Sequence, residues 1–304
     1  MNFLLLFDKY SITLYNYLRG IIMKKIAIIF AGGVGQRFGS EIPKQFVNIY
    51  GNNIIIHTLN VFQNHDEIDE IYVGCIEEWI PYLEGIIRIN GITKIPNNGI
   101  VPGGSTGQDT IYKVLLKARE NNTDEDIVLI HDGVRPIVTK EEISENIRSV
   151  EKYGSAITCI PFTETPVYSE NGEVIDKTLD RKTMYRGVAP QSFKLGHIIE
   201  AHELIRKNDP NYEKKYNGGS IVDSASLITA AFNEKCHIVK GNPNNMKVTT
   251  TGDYFALLGI LQSNDIENYF YGKTNNDILL NPAMEEAKNI KKRRILKPEN
   301  KKED

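Results

Sequence analysis

Residues 25–46 read KIAIIFAGGVGQRFGSEIPKQF, and they set the class of fold. The opening run KIAIIF is apolar almost throughout, as a strand buried on both faces of a sheet must be. Gly32, Gly33 and Gly35 follow at once. They let the backbone turn tightly and bring several N–H groups toward one point, which holds a phosphate without side chains. Arg37 and Lys44 come just after. Two cations beside a glycine cradle suit a polyanion of more charge than a single phosphate. In an open α/β sheet, ligands bind beyond the carboxyl ends of the strands, where this loop falls.

Spacing tests which glycine motif this is. A dinucleotide fingerprint needs G-x-G-x-x-G, and counting from Gly33 the sixth position is Phe38. A Walker loop, G-x-x-x-x-G-K-[ST], occurs nowhere in the chain. The first failure disfavours a nucleotide-dependent oxidoreductase.

Moving outward, short β-rich runs alternate with amphipathic helical stretches, the pattern of a mainly parallel sheet covered on both faces. EIYVGCI (70–76) and DIVLIHD (126–132) read as further buried strands. TGQDTIYKVLLKAREN (106–121) carries Ile111, Val114, Leu115 and Ala118 at helical spacing. TKEEISENIRSVEKYG (139–154) opens with Thr139 and Glu142 in capping-box register and closes on Gly154. Residues 165–193 change texture to a polar, β-rich excursion with Asn171-Gly172 placed to turn a hairpin. Helices are expected at 195–208 and 224–233, strands at CHIVKG (236–241) and MKVTT (246–250), and a last packed helix at DYFALLGILQ (253–262).

The bulk numbers agree with one large enzyme-sized domain. The 304 residues are 41% hydrophobic, enough for a full core. A net charge of −3 gives no overall basic field, so a nucleic-acid partner has no support. Cys75, Cys159 and Cys236 lie far apart in apolar runs, reading as buried free thiols of a cytoplasmic protein rather than a zinc site. Residues 1–22 are hydrophobic, but Asp8, Lys9 and Arg19 interrupt them short of the roughly 20 residues of a membrane span. Met23 precedes KKIAIIF, and the expectation is that translation starts there or that residues 1–22 are a dispensable appendage. The expected organisation is an extension at 1–22, one folded α/β domain at 23–265 that includes the excursion, and a charged tail at 266–304.

A second constellation joins the first. HDGVRP (131–136) ends an apolar strand, placing Asp132 and Arg135 on the same sheet edge as the glycine loop. An aspartate there suits Mg²⁺, and an arginine clamps a phosphate in bidentate fashion. Lys247 in MKVTT is a third cation for that crevice. His131 closes an apolar strand and reads as a packed, hydrogen-bonded residue.

The ordered set A-G-G-x-G-x-R-x-G, P-K-Q, G-G, H-D-x-x-R-P, D-R, P-Q and K-V-T resembles the cytidylyltransferases that join CTP to a polyol phosphate. Enzymes for 2-C-methyl-D-erythritol 4-phosphate and D-ribitol 5-phosphate are siblings there, and the likeness runs from about Met23 to Leu261. The AGG of the loop, Trp79, MYRGVAPQSF and MKVTT lean to the ribitol branch. The resemblance implies a Rossmann-like α/β fold, a mainly parallel sheet flanked by helices, with a protruding β-arm at about 163–193 exchanged between the subunits of a homodimer. It implies Arg37, Lys44 and Lys247 as catalytic cations, and Ala31, Gly32, Gly33, Gly35, Gly103, Gly104, Thr110 and Asp132 on the nucleotide, with Mg²⁺ at Asp132. Arg135, Thr165, Arg181 and Asp223 are implied at the acceptor, Arg181 from the partner subunit. The chain departs from the pattern in GGSTGQDT (103–110), where Gly107 replaces an arginine and Thr110 a serine, and in Ala189-Pro190-Gln191 and Val167. A non-catalytic nucleotide-binding protein derived from the family is the competing reading.

Overall fold

The computed structural model describes residues 23–33, 42–216 and 219–271, the last eight of these by their backbone alone. The expectations for residues 1–22, for Gly35 and Arg37, and for the charged tail beyond Tyr271 lie outside the described residues; residues 266–271 continue the last helix. Two compact units divide between Leu258 and Gly259. The first carries the sheet and every site residue discussed below. Of the second, the described residues are the carboxyl-terminal part of the last helix, Thr251–Tyr271.

Among the described residues the centre is a seven-stranded sheet. Its strands are β1 (Lys25–Ala31), β4 (Glu70–Cys75), β5 (Ile100–Pro102), β6 (Ile127–Asp132), β7 (Ser155–Pro161), β10 (Tyr185–Lys194) and β11 (Ile238–Lys240), while β2 (Asn48–Ile49) and β3 (Asn52–Asn53) pair only with each other. The spatial order is β11-β7-β10-β6-β1-β4-β5. β1 pairs in parallel with β4 and β6, and Phe30 stands opposite Asp132. β10 alone runs antiparallel, between β6 and β7. Its beginning therefore shares an edge with the carboxyl ends of its neighbours.

Alternation along the strands explains the two covered faces. Ala27, Ile29 and Leu129 face one core, completed by α1 (Ile54–Gln63), α2 (Ile80–Ile89) and α4 (Lys140–Tyr153). Ile26, Ile28, Val128 and Ile130 face the other, completed by α3 (Gly107–Arg119), α5 (Leu195–Asn208), α6 (Tyr212–Tyr216) and α7 (Ser224–Phe232). Ile111, Val114, Leu115 and Ala118 form the buried stripe of α3, as their spacing predicts. The capping box of α4 is present in full: Thr139 accepts from the Glu142 N–H, Glu142 accepts from the Thr139 N–H, and Gly154 ends the helix at φ +80°.

Three expectations change. MKVTT is not a strand: the Val248 N–H bonds to the Val134 carbonyl, in the turn after β6, rather than to a neighbouring strand. The excursion holds less β structure than its composition suggests. Only β8 (Val167–Tyr168) and β9 (Lys177–Thr178) pair within it, and residues 169–176 connect them. Asn171 and Gly172 do turn the chain, with Gly172 at φ +77°, but the Asn171 side chain accepts from Glu173 and Val174 N–H and widens the turn into a loop. Lastly, Cys75 and Cys159 are buried, while Cys236 is half-exposed. Burial pushes the Cys75 thiol up to about 12, so it stays protonated and inert. Among the described residues no helix is long and apolar enough to cross a membrane.

Two buried histidines make the fold acid-sensitive. Burial lowers the His131 pKa to about 4 and that of His202 to about 3, against about 6.5 for a free imidazole. Because the folded values lie below the unfolded one, the unfolded chain binds protons first as pH falls below about 6.5, and stability drops. Each group contributes a slope of about 1.4 kcal/mol per pH unit down toward its folded value. Urea unfolding at pH 7, 5.5 and 4.5 should show falling midpoints, and His202→Gln should make the slope shallower. An equal slope in that variant would show that His202 is not a source of the acid sensitivity.

Candidate active site

The glycine cradle is held shut by side chains. Ala31 ends β1, and Gln45, buried on the short 3-10 turn Lys44–Phe46, donates its Nε2 to the Ala31 carbonyl at 2.7 Å and to the Gly33 carbonyl at 3.2 Å. PKQ is thereby pinned to the loop it follows in sequence, and Lys44 is carried beside it. Phe46 stacks on Trp79 at 4.8 Å, fixing the turn from beneath. Sequence reasoning missed Gln45, although a lone glutamine between a lysine and an aromatic offered the clue that it was not needed for solubility.

Gly32, Gly103, Gly104 and Thr110 converge, as expected. A Cβ on Gly32 would meet Thr110 Oγ1 at 2.9 Å, and one on Gly104 would overlap Asp109. Only glycine allows this approach of loop to helix. Thr110 Oγ1 accepts from the Gly104 N–H and donates to the Thr106 carbonyl, so its hydroxyl shapes the loop. Gly74 was missed: a Cβ there would meet Thr110 Cγ2 at 2.5 Å, and its absence lets α3 lie against β4.

The start of α3 is clamped where the arginine of the family pattern is missing. Asp109 accepts from Ser105 and Thr106 hydroxyls and from Arg206 Nη2, at 2.5, 2.9 and 2.5 Å. Arg206 lies with its guanidinium 4.3 Å from the Tyr112 ring centroid and 4.6 Å from that of Tyr212. Burial works against ionisation of Asp109, yet these donors and the guanidinium charge hold its pKa below the usual range. Nothing local in sequence links Arg206 to Asp109, which stand 97 positions apart.

At the carboxyl end of β6, Asp132 carries two cations. Its Oδ2 is 2.7 Å from Arg135 Nε and its Oδ1 is 2.6 Å from Lys247 Nζ. Burial disfavours the charged carboxylate, but Lys247 and Arg135 outweigh it and hold the pKa far below the usual carboxylate range. One negative and two positive charges leave the cluster net positive by one. Arg135 Nη1 also donates to the Asn245 carbonyl, and Asn245 Nδ2 to that of Ala189. In this arrangement Arg135 braces the carboxylate and the turn bearing Lys247. His131 is buried, with Nε2 at the Arg135 carbonyl and its ring on Phe62, the packed role expected.

A cavity of about 330 Å³ opens beside this cluster, walled by Phe30, Ile130, Asp132, Arg135 and Lys247, by Gly107, Gln108 and Ile111 of α3, by Gly187 to Ala189 and Gln191 of β10, and by Tyr216, Val222, Asp223 and Ser224. Asp223 caps α7 and accepts from Gln191 Nε2, while Gln191 Oε1 accepts from the Ser224 and Ala225 N–H groups. Thr165 and Arg181 are not brought here. Both are exposed on the excursion, and Arg181 Nη1 donates to the Thr163 carbonyl of the same segment.

Among the described residues no three acidic, histidine or cysteine side chains converge in a metal cage. Asp132 is the ionised carboxylate that would hold Mg²⁺: each of its oxygens keeps a lone pair beside the one engaged by Lys247 or Arg135, and the ion takes one or two carboxylates and completes its shell with phosphate oxygens and water.

Glycine loops, two cations on one carboxylate and a cavity share one edge of this sheet, and the chain is one of the nucleotidyltransferases. It belongs to the family described as IspD, 2-C-methyl-D-erythritol 4-phosphate cytidylyltransferase, whose model matches residues 25–263. A ribitol-5-phosphate cytidylyltransferase of Streptococcus agalactiae serotype V is 36% identical over 82% of this chain and 99% of its own length. One from Vibrio parahaemolyticus is 39% identical over 79% of the chain and 97% of its own length. A 2-C-methyl-D-erythritol 4-phosphate cytidylyltransferase of Clostridium botulinum is 34% identical over 76% and 94%. The crystal structure of the Anaerococcus prevotii 4-diphosphocytidyl-2C-methyl-D-erythritol synthase superposes with a TM-score of 0.64, covering 79% of this chain and 96% of that one at 24% identity, which speaks for the fold.

Proposed function

We propose that this chain transfers CMP from CTP to D-ribitol 5-phosphate, giving CDP-ribitol and pyrophosphate. The observation that carries the reaction class is the Asp132 cluster beside the glycine cradle: two cations fixed on one carboxylate serve a step in which phosphate charge must be neutralised. The acceptor follows the relatives of higher identity, which carry the ribitol name. The Clostridium relative supplies the second reading, methylerythritol phosphate as acceptor.

The acceptor phosphate, with a second pKa of about 6, is largely dianionic near neutrality and needs no general base. Its oxygen bonds to the α-phosphorus of CTP as the bond from that phosphorus to the bridging oxygen of pyrophosphate breaks. The protein's part is alignment and charge. Gly32, Gly33, Gly35 and Arg37 are assigned to the β- and γ-phosphates, Lys44 and Lys247 to the α-phosphate, and Gly103, Gly104 and Thr110 to the side of the base. Asp132 would hold Mg²⁺, which when bound adds positive charge to the triphosphate.

The acceptor is assigned to the cavity, with Asp223 on its wall and Arg135 as support. Thr165 and Arg181 are assigned to a second copy's cavity in a homodimer. Two features support that: they stand away from their own cavity, and Val167, Tyr168, Val174, Ile175 and Tyr185 leave apolar surface exposed along the same segment.

The test is pyrophosphate release with CTP and, separately, ribitol 5-phosphate, methylerythritol 4-phosphate and glycerol 3-phosphate, with Mg²⁺ present and absent. Fastest release with ribitol 5-phosphate is expected. Preference for methylerythritol 4-phosphate reassigns the acceptor, and silence with all three removes the reaction itself.

A further inference from the structure

One polar side chain on the cavity wall has no partner. Gln108, the second residue of α3, is 4% exposed, and its Oε1 is buried without a hydrogen bond. Among the described residues its side-chain amide makes no hydrogen bond at all. An amide oxygen buried in this way is unfavourable by about 1–3 kcal/mol, and folded proteins rarely leave one without a use. The glutamine across the cavity behaves in the opposite manner. Gln191 spends its Nε2 on Asp223 and its Oε1 on two backbone N–H groups of α7. The hydroxyl of Tyr216, also on the wall, is engaged with His202 Nδ1.

Position says which part of a substrate meets Gln108. The converging Gly32, Gly103, Gly104 and Thr110 follow β1 and β5 and lie toward the β4–β5 side of the sheet, and none of them lines the cavity. The cavity extends instead over β1, β6 and β10, with the Asp132 cations on its wall. A nucleotide seated on the cradle therefore brings its α-phosphate to the cations on the wall and leaves the rest of the cavity to the other reactant. A polyol chain is a row of hydroxyls, each both donor and acceptor, and an unpartnered side-chain amide is their complement.

We propose that Gln108 is a specificity-determining residue whose side-chain amide hydrogen-bonds a hydroxyl of the acceptor's polyol chain, beyond the part shared with glycerol 3-phosphate. This rests on the polyol-phosphate reading given above and adds the residue that reads the chain. A site built to pair with a hydroxyl discriminates strongly against ligands lacking it, because its own buried group is then left unpaired.

Gln108→Met keeps length and bulk and removes the amide. With the full chain, the variant should lower kcat/KM for ribitol 5-phosphate about 10-fold or more, chiefly through KM. Its Kd for CTP by calorimetry, and the inhibition constant of glycerol 3-phosphate against ribitol 5-phosphate, should stay within about twofold. Unchanged ribitol 5-phosphate kinetics, equal weakening of both polyol phosphates, or weaker CTP binding would each overturn the assignment. Wild-type protein that turns over no polyol phosphate would instead overturn the reaction reading beneath it, so the two failures are told apart by the wild-type arm alone.

Discussion

Lys247→Ala is expected to lower kcat with CTP and ribitol 5-phosphate by about 10²–10³-fold, the usual loss when one fixed charge-stabilising group is taken from a transition state. The ammonium is 2.6 Å from Asp132 Oδ1 and stands on the cavity wall, preset before substrate arrives. Ground-state binding should change far less, so KM for the acceptor should move by only a few-fold. Stability should also survive. The Lys247 side chain is 39% exposed, and Arg135 remains on the carboxylate, so the pair itself adds little to folding. Steady-state pyrophosphate release and urea midpoints on the same preparation separate the two effects. A kcat within threefold of wild type would take Lys247 out of the mechanism, and a collapsed midpoint would make its role structural.

Asp132→Asn should do the reverse to stability. The substitution keeps shape but leaves the guanidinium of Arg135, 13% exposed, beside a lysine with no anion between them. Removing one member of a buried charge cluster is typically destabilising by about 3–5 kcal/mol, and the partial exposure of Lys247 argues for the lower end. The wild-type carboxyl titrates below its unfolded value, so the stability it adds is present above about pH 4 and is lost as pH falls toward the folded pKa. The variant should lack that part of the acid dependence. Asp132→Asn with Lys247→Met should recover a portion of the loss, as a double-mutant cycle on urea midpoints would read. Additive losses would mean that the two groups are not coupled, contrary to their geometry.

Much of this site was legible in the sequence because buried strands and glycine turns leave local signatures. β1 and β6 read as apolar runs, so whatever followed them had to share an edge, and Asp132, Arg135 and the glycines were placed together on that ground. What escaped depends on contacts with no local trace. Arg206 reaches Asp109 across 97 positions, and nothing in either segment's periodicity announces it. Gln45 was visible only as a member of PKQ, its bonds to the Ala31 and Gly33 carbonyls being a matter of how the loop folds back. The misread MKVTT has strand composition but no strand beside it to pair with, since β propensity describes a fit to neighbours more than a preference of the backbone. Gly107 reads as a loss in sequence, whereas the fold shows the adjoining helix start held by Asp109 and Arg206 instead.

β10 starts on the exposed excursion at Tyr185 and ends between β6 and β7 at Lys194, passing the cavity at Gly187 to Ala189 on the way. The excursion therefore has two regimes of tolerance to change. Insertions and deletions in residues 169–176 alter a loop that no other strand depends on. From Tyr185 onward each residue removed shifts a rung, so that the side chains meant for one core face would turn to the other and the cavity wall would slide with them. A change at the tip of this segment shifts no strand of the central sheet, whereas its root is tied in register to that sheet.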